Sequence, residues 1–184
     1  MKYFSKGKRG KIYLEGSYAI KKASPVRINN EVKWLKILNK HKIGPKLISY
    51  SNNHFKYRFI KGDFIIDFIK KSKKLLIKKI LIDVLKQCRI MDKIKVNKKE
   101  MHHPVKHIIV KNDKAFMIDF ERCFKTNKPK NVTQFSQFIM SNNLEELLNK
   151  KGFKIDKIKL LKILIKYKHN QNERNFKRIL RLIN

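Results

Sequence analysis

The sequence predicts an α+β fold, with a small antiparallel sheet first and a mostly helical half after it. Three observations predict it. Short β-favouring runs separated by glycines crowd the first 62 residues, and helix-period apolar stripes dominate from residue 75 onward. A hydrophobic content of 42%, with twelve Phe and six Tyr, supplies a core for a chain of 184 residues.

Tyr3-Phe4, residues 12–14 and residues 18–20 are three β-favouring runs, punctuated by Gly7, Gly10 and Gly16. They predict a meander. Asn29 or Asn30 can cap a helix carrying Val32, Leu35, Ile37 and Leu38, which ends at Gly44-Pro45. Residues 47–50 and 57–60 read as two further strands around Ser51-Asn52-Asn53. After Gly62 the character changes. Residues 75–92 carry an apolar stripe from Leu75 to Cys88 at helical spacing. Residues 108–110 and 115–118 flank Asn112-Asp113, a hairpin-turn pair. Helices are predicted at about 132–140, 144–149, 157–168 and 173–182. The expected division is 1–62, rich in strands, and 63–184, rich in helices.

Forty-seven Lys and Arg stand against fourteen Asp and Glu, a net +33. Such a field attracts polyanions, so RNA or ribosome contact is an open reading. A general bias toward Lys, Ile and Asn in the composition is the plainer one. Cys88 and Cys123 match no metal or redox spacing and read as buried small hydrophobes in a reducing compartment. The first twelve residues lack the apolar core of a signal peptide, and apolar runs such as 64–69 are too short to span a bilayer. A cytoplasmic protein without membrane association is expected.

The candidate chemistry begins with Tyr18-Ala19-Ile20-Lys21. A lysine ending a strand after a glycine turn is placed to hold phosphates. Glu31, in the first helix, can fix that lysine in one rotamer through an ion pair. A solvated acid near a helix N-terminus is the competing reading. Lys6-Gly7-Lys8-Arg9-Gly10-Lys11 can fold backbone N–H groups over phosphates, or serve as an ordinary hairpin turn. In Phe116-Met117-Ile118-Asp119-Phe120-Glu121, an Asp ending a hairpin strand before a Phe can chelate Mg²⁺.

These segments, in this order, resemble a small atypical protein kinase. The likeness is to the RIO kinases, to the small kinase of the KEOPS complex, and above all to an archaeal family of small serine/threonine-kinase-like proteins. It is carried by MHHPVKHIIV, IDFERC and PKNVTQFSQFI and covers roughly residues 5–141. Asp119-Phe120-Glu121 resembles Asp-Phe-Gly with Glu replacing Gly. The resemblance implies a reduced, two-lobed protein-kinase-like fold that binds ATP and Mg²⁺ between its lobes. Lys21 would hold phosphates, Glu31 would orient it and Asp119 would bind the metal. Phe59, Ile60 and Lys61 would form the hinge against adenine, and Gly7 and Gly10 would cover the phosphates.

Aligning Ile108-Ile109-Val110 with the family strand puts His107 at a metal-binding Asn position and His102 at the catalytic Asp position. Glu100 is the nearest carboxylate and the candidate base, with His102 as its rival. Histidine suits Mg²⁺ poorly. A transition-metal site at His103 and His107 is disfavoured, because Pro104 interrupts their helical spacing. The expected function is an ATP- and Mg²⁺-dependent phosphotransferase, a serine/threonine protein kinase or an ATPase. Its alternatives are a nucleotide-binding pseudokinase contacting RNA or ribosomes, and a kinase of a small molecule such as a sugar or aminoglycoside.

Overall fold

The computed structural model describes residues 1–7 and 10–183. The chain divides into two compact units. The first comprises Met1–Lys61 and Phe116–Cys123, the second Gly62–Ala115 and Phe124–Asn184.

In the first unit, β1 (Lys2–Gly7), β2 (Gly10–Glu15), β3 (Tyr18–Lys22), β4 (Leu47–Tyr50) and β5 (His54–Arg58) form one antiparallel sheet in the order β1-β2-β3-β5-β4. Gly16 at φ 57° makes the tight turn that joins β2 to β3. Helix α1 (Pro25–Asn39) has Ser24 at its N-cap position, ahead of both expected caps. Pro25 stands at its first turn, where a fixed φ and a missing N–H cost nothing. Asn29 and Asn30 therefore lie inside the helix and do not cap it. The buried stripe of α1 runs Ile28, Glu31, Val32, Leu35 and Leu38, so a carboxylate occupies one of the core-facing positions. Asn39 organises the exit from α1. Its amide donates to the carbonyls of Ile43 and Pro45 at 3.0 Å and accepts from Leu47 N–H at 2.8 Å.

The second unit is helical around short strands. β6 (Asp63–Phe64), β8 (Ile108–Lys111) and β9 (Lys114–Met117) form one small sheet, and β7 (Val96–Lys98) pairs with β10 (Cys123–Lys125). Asn112 and Asp113, at φ 47° and 55°, make the expected β8–β9 turn. The helices are α2 (Ile65–Lys71), α3 (Lys74–Lys93), α4 (Asn131–Ile139), α5 (Asn142–Lys150), α6 (Lys157–His169) and α7 (Glu173–Arg181). The sequence reading lacked α2. Its seven residues follow β6 directly and are too few to establish a period.

Helix α3 buries its apolar stripe and also Asp92, 2% exposed. The Asp92 carboxylate accepts from Asn131 N–H (3.0 Å), Asn131 Nδ2 (2.8 Å), Val132 N–H (3.3 Å) and the Tyr167 hydroxyl (3.0 Å). Asn131 also donates Nδ2 to the Val96 carbonyl at 2.7 Å and accepts from Lys98 N–H at 2.9 Å. The start of α4, the end of α3 and β7 are thereby joined by one buried polar network, in which each bond replaces a lost one to water. Cys88 and Cys123 are buried, and no disulfide joins them. Among the described residues, no helix is long and apolar enough to cross a membrane.

Candidate active site

Lys21 is the fourth residue of β3 and pairs with Ile12 on one side and Phe55 on the other. Side chains alternate along a strand, so Lys21 shares its face with fully buried Ala19. Glu31 comes from the core-facing stripe of α1. Lys21 Nζ lies 2.7 Å from Glu31 Oε2, 2.9 Å from Asp119 Oδ1 and 4.0 Å from Glu121 Oε2. All four residues belong to the first unit. The remaining Glu31 oxygen accepts from Phe120 N–H at 3.3 Å. One buried acid therefore holds both the lysine and the backbone beside Asp119.

Asp119 sits at φ 61°, a left-handed conformation that Asp tolerates better than most residues. Phe120 is fully buried. Its ring packs on Gly44, where a Cβ would stand 2.7 Å from Phe120 Cε2. Gly44 itself has φ 80°. Both close approach and backbone geometry thus demand glycine there. Asn30, one residue before Glu31, donates its amide to the Glu121 carbonyl and accepts from Trp34 Nε1–H at 3.1 Å. It fastens α1 to the segment that carries Asp119.

The electrostatics follow from burial and charge. Burial alone would push the Lys21 ammonium down. The carboxylates of Glu31 and Asp119 more than offset this and hold it above the usual lysine range. Burial raises the Glu31 carboxyl despite Lys21, and the neighbouring Asp119 charge adds to the rise. Burial, then the Glu31 charge, push the Tyr57 hydroxyl up. Tyr57 pairs with Ala19 across β3 and β5, and sequence reasoning did not select it. Asn30 and Tyr57 carry no motif of their own, and Glu121 entered only as the last residue of Asp-Phe-Glu, without a role. Only their positions beside Glu31, Phe120 and Ala19 mark them.

Glu31, Asp119 and Glu121 each offer an oxygen within 4.8 Å of the others. This all-carboxylate set fits a hard cation such as Mg²⁺ and offers no nitrogen or sulfur ligand. Glu31 is the most buried of the three and has both oxygens engaged, by Lys21 and by Phe120 N–H, which leaves Asp119 and Glu121 as the pair best suited to an ion.

The other candidates make contacts of their own. Gly7 and Gly10 pair at the end of β1 and β2, and Lys8 and Arg9 between them lie outside the described residues. A Cβ on Gly10 would stand 2.7 Å from the Lys22 carbonyl oxygen, so packing against β3 already requires glycine there. Phe59 gives its N–H to the Ser17 carbonyl at 3.0 Å and sets its ring edge-on to Phe4. Ile60 is buried and Lys61 exposed, at the end of the first unit's longer segment. Glu100, His102 and His107 belong to the second unit. Glu100 lies on a 3₁₀ turn (Lys99–His102) and pairs at 3.2 Å with Lys98, whose side chain is fully buried. His102 is exposed and sets Nδ1 2.8 Å from the Lys99 carbonyl. His107, half-buried, immediately precedes β8.

No family model matches the chain, and no curated protein does. Among solved structures it resembles the ADP-bound aminoglycoside phosphotransferase APH(2'')-Ib at 12% identity and a TM-score of 0.51, over 98% of this chain and 92% of that one. It also resembles APH(2'')-IIa, solved as a ternary complex with streptomycin and ATP, at 13% identity and a TM-score of 0.53, over 99% of this chain and 90% of that one. At such identities the likeness is one of fold: a protein-kinase-like α+β fold, with a small antiparallel sheet and a helical C-terminal part. The fold is the one the sequence motifs imply. The likeness to an archaeal family in particular finds no support among these structures.

Proposed function

We propose that the chain is a Mg²⁺- and ATP-dependent phosphotransferase whose nucleotide site is built around Lys21, Glu31 and Asp119. The observation that carries this reading is the seating of Lys21 Nζ between Glu31 and Asp119 at 2.7 and 2.9 Å. A lysine held by a buried acid keeps its charge and one rotamer, which is what phosphate binding asks of it. The resemblance to two nucleotide-bound phosphotransferases supports the same reading.

Asp119 and Glu121 would hold Mg²⁺, which would supply neutralisation of phosphate charge. Lys21 binds phosphate oxygens, and Glu31 and the Asn30 amide keep lysine and acidic segment in place. Transfer forms a bond between the acceptor's hydroxyl oxygen and the γ-phosphorus and breaks the bond to the β,γ-bridging oxygen. ADP leaves with that electron pair. Glu100, the nearest carboxylate to the base position of the resembled kinases, is our candidate for taking the hydroxyl proton, with His102 as its rival. Catalysis of this kind rests mainly on positioning and charge.

A weaker, pseudokinase-like activity is favoured by two features. Glu100 is already paired with a buried lysine, and histidines stand where the resembled kinases keep Asp and Asn. The test is calorimetric titration of Mg²⁺–ATP, with turnover of radiolabelled ATP measured beside it. Asp119→Ala and Lys21→Ala should each lower turnover by about 100-fold or more. Unchanged turnover in both variants defeats the assignment. Tight nucleotide binding with negligible turnover selects the pseudokinase form.

A further inference from the structure

A cavity of about 900 Å³ opens within the second unit, at the upper end of the range for small-molecule sites. Its apolar wall is Ile66 of α2, Val105, Phe138 of α4, and Leu144 and Leu147 of α5. One edge is the chain just after the 3₁₀ turn that bears Glu100. His103 lines the cavity, donates its N–H to the Glu100 carbonyl at 3.0 Å and sets its ring edge-on to Phe138. The cavity thus adjoins the loop that carries the proposed base.

The charged groups around it are unequal. Lys70 and Lys150 line the cavity, and the single acid is Glu146. Glu146 is matched by Lys150 at 2.7 Å, one helical turn away. That exposed pair is worth little, so an incoming anion can engage Lys150 at small cost. The first turn of α5 also lines the site through Asn142, Asn143 and Leu144. Its preceding Ser141 turns the hydroxyl back to the Phe138 carbonyl at 2.7 Å and makes no side-chain cap.

We propose that this cavity binds the phosphate acceptor, and that the acceptor is a small hydroxyl compound bearing a carboxylate or phosphate and an apolar body. This rests on the phosphotransferase reading above. A polycation finds here two lysines against one acid, in a chain of net +33. An anion finds Lys70 and Lys150 beside an apolar wall. The chemistry of the cavity therefore parts company with streptomycin, the ligand of one structural neighbour.

The test is direct binding of phenyl phosphate to the full chain without nucleotide, at about 0.15 M salt, where diffuse surface attraction is screened beyond roughly 8 Å. Phenyl phosphate should bind, and streptomycin should not displace it. The double variant K70E/K150E should weaken binding by about tenfold or more, because both ligand contacts become repulsive. The variant K159E/K162E makes the same charge change on exposed residues of α6 and should alter binding by less than about threefold. Equal weakening in both variants, absence of phenyl phosphate binding, or displacement by streptomycin overturns the proposal. Mg²⁺–ATP titration of the unaltered chain separates this outcome from the nucleotide assignment. A failed nucleotide site shows there and leaves phenyl phosphate binding intact.

Discussion

Lys21 Nζ lies 2.9 Å from Asp119 Oδ1, across 98 residues of sequence, and 2.7 Å from Glu31 Oε2. The two carboxylates raise the ammonium's pKa against the downward pull of burial. A raised folded value means the stabilisation is fully present below the unfolded lysine value of about 10.4 and is lost as pH rises through the higher folded one. Urea midpoints of wild type and Lys21→Met should therefore differ by a constant amount from neutral pH to about pH 10 and converge above it. A difference that already shrinks between neutrality and about pH 9 contradicts the direction of the shift.

Asn30 predicts a positioning effect. Its amide spans the Glu121 carbonyl and Trp34 Nε1. Asn30→Ala should cost about 1–2 kcal/mol of stability and weaken Mg²⁺–ATP binding several-fold. Asn30→Asp keeps an acceptor for Trp34 but cannot donate to the carbonyl. It should recover stability more than nucleotide affinity, and calorimetry beside thermal melts reads both.

Gly44 predicts an effect on the Asp119 segment from a distant loop. Gly44→Ala places a methyl group against the Phe120 ring in a backbone conformation that alanine resists. The expected loss is about 2 kcal/mol or more, measured by urea denaturation. A neutral substitution would show that the ring has room to move.

Asn131 makes three buried side-chain bonds, to Asp92, the Val96 carbonyl and Lys98 N–H. Asn131→Ala strands these partners and should cost about 2–4 kcal/mol. Amide hydrogen exchange at Lys98 should rise in the same variant, since its partner is gone. Unaltered protection at Lys98 argues that β7 is held by other means.

Asp92 supplies the acid-side prediction. Burial raises its carboxyl above the usual value, against the hydrogen bonds from Asn131, Tyr167 and Val132. The stability it contributes is fully present below the unfolded value of about 3.9 and is lost as pH rises through the raised folded one. The advantage of wild type over Asp92→Asn should be largest near pH 3 and smaller at neutrality, read from urea midpoints at the two ends. An advantage that grows with pH reverses the sign.

The sequence by itself determined that a strand-rich part precedes a helix-rich one, because alternation, apolar period and turn residues are local properties. Asn112-Asp113 marked a hairpin and Leu75 to Cys88 marked α3 for that reason. The two- and three-residue strands β6, β7 and β10 are too short to show such properties. The sequence also held a trace of Glu31's role, since an acid among Ile28, Val32, Leu35 and Leu38 breaks an apolar stripe. What it could not supply was the start of α1 at Pro25 or the brief helix α2. One reads equally as a turn, and the other is too short for its period to show. The tertiary structure alone decided that Phe116–Cys123 returns to the first unit, bringing Asp119 and Glu121 to Lys21. It also decided that Asn30 and Gly44 answer to that segment. Such partners are chosen by which surfaces close-pack once the chain has folded, and no spacing between residues records that choice.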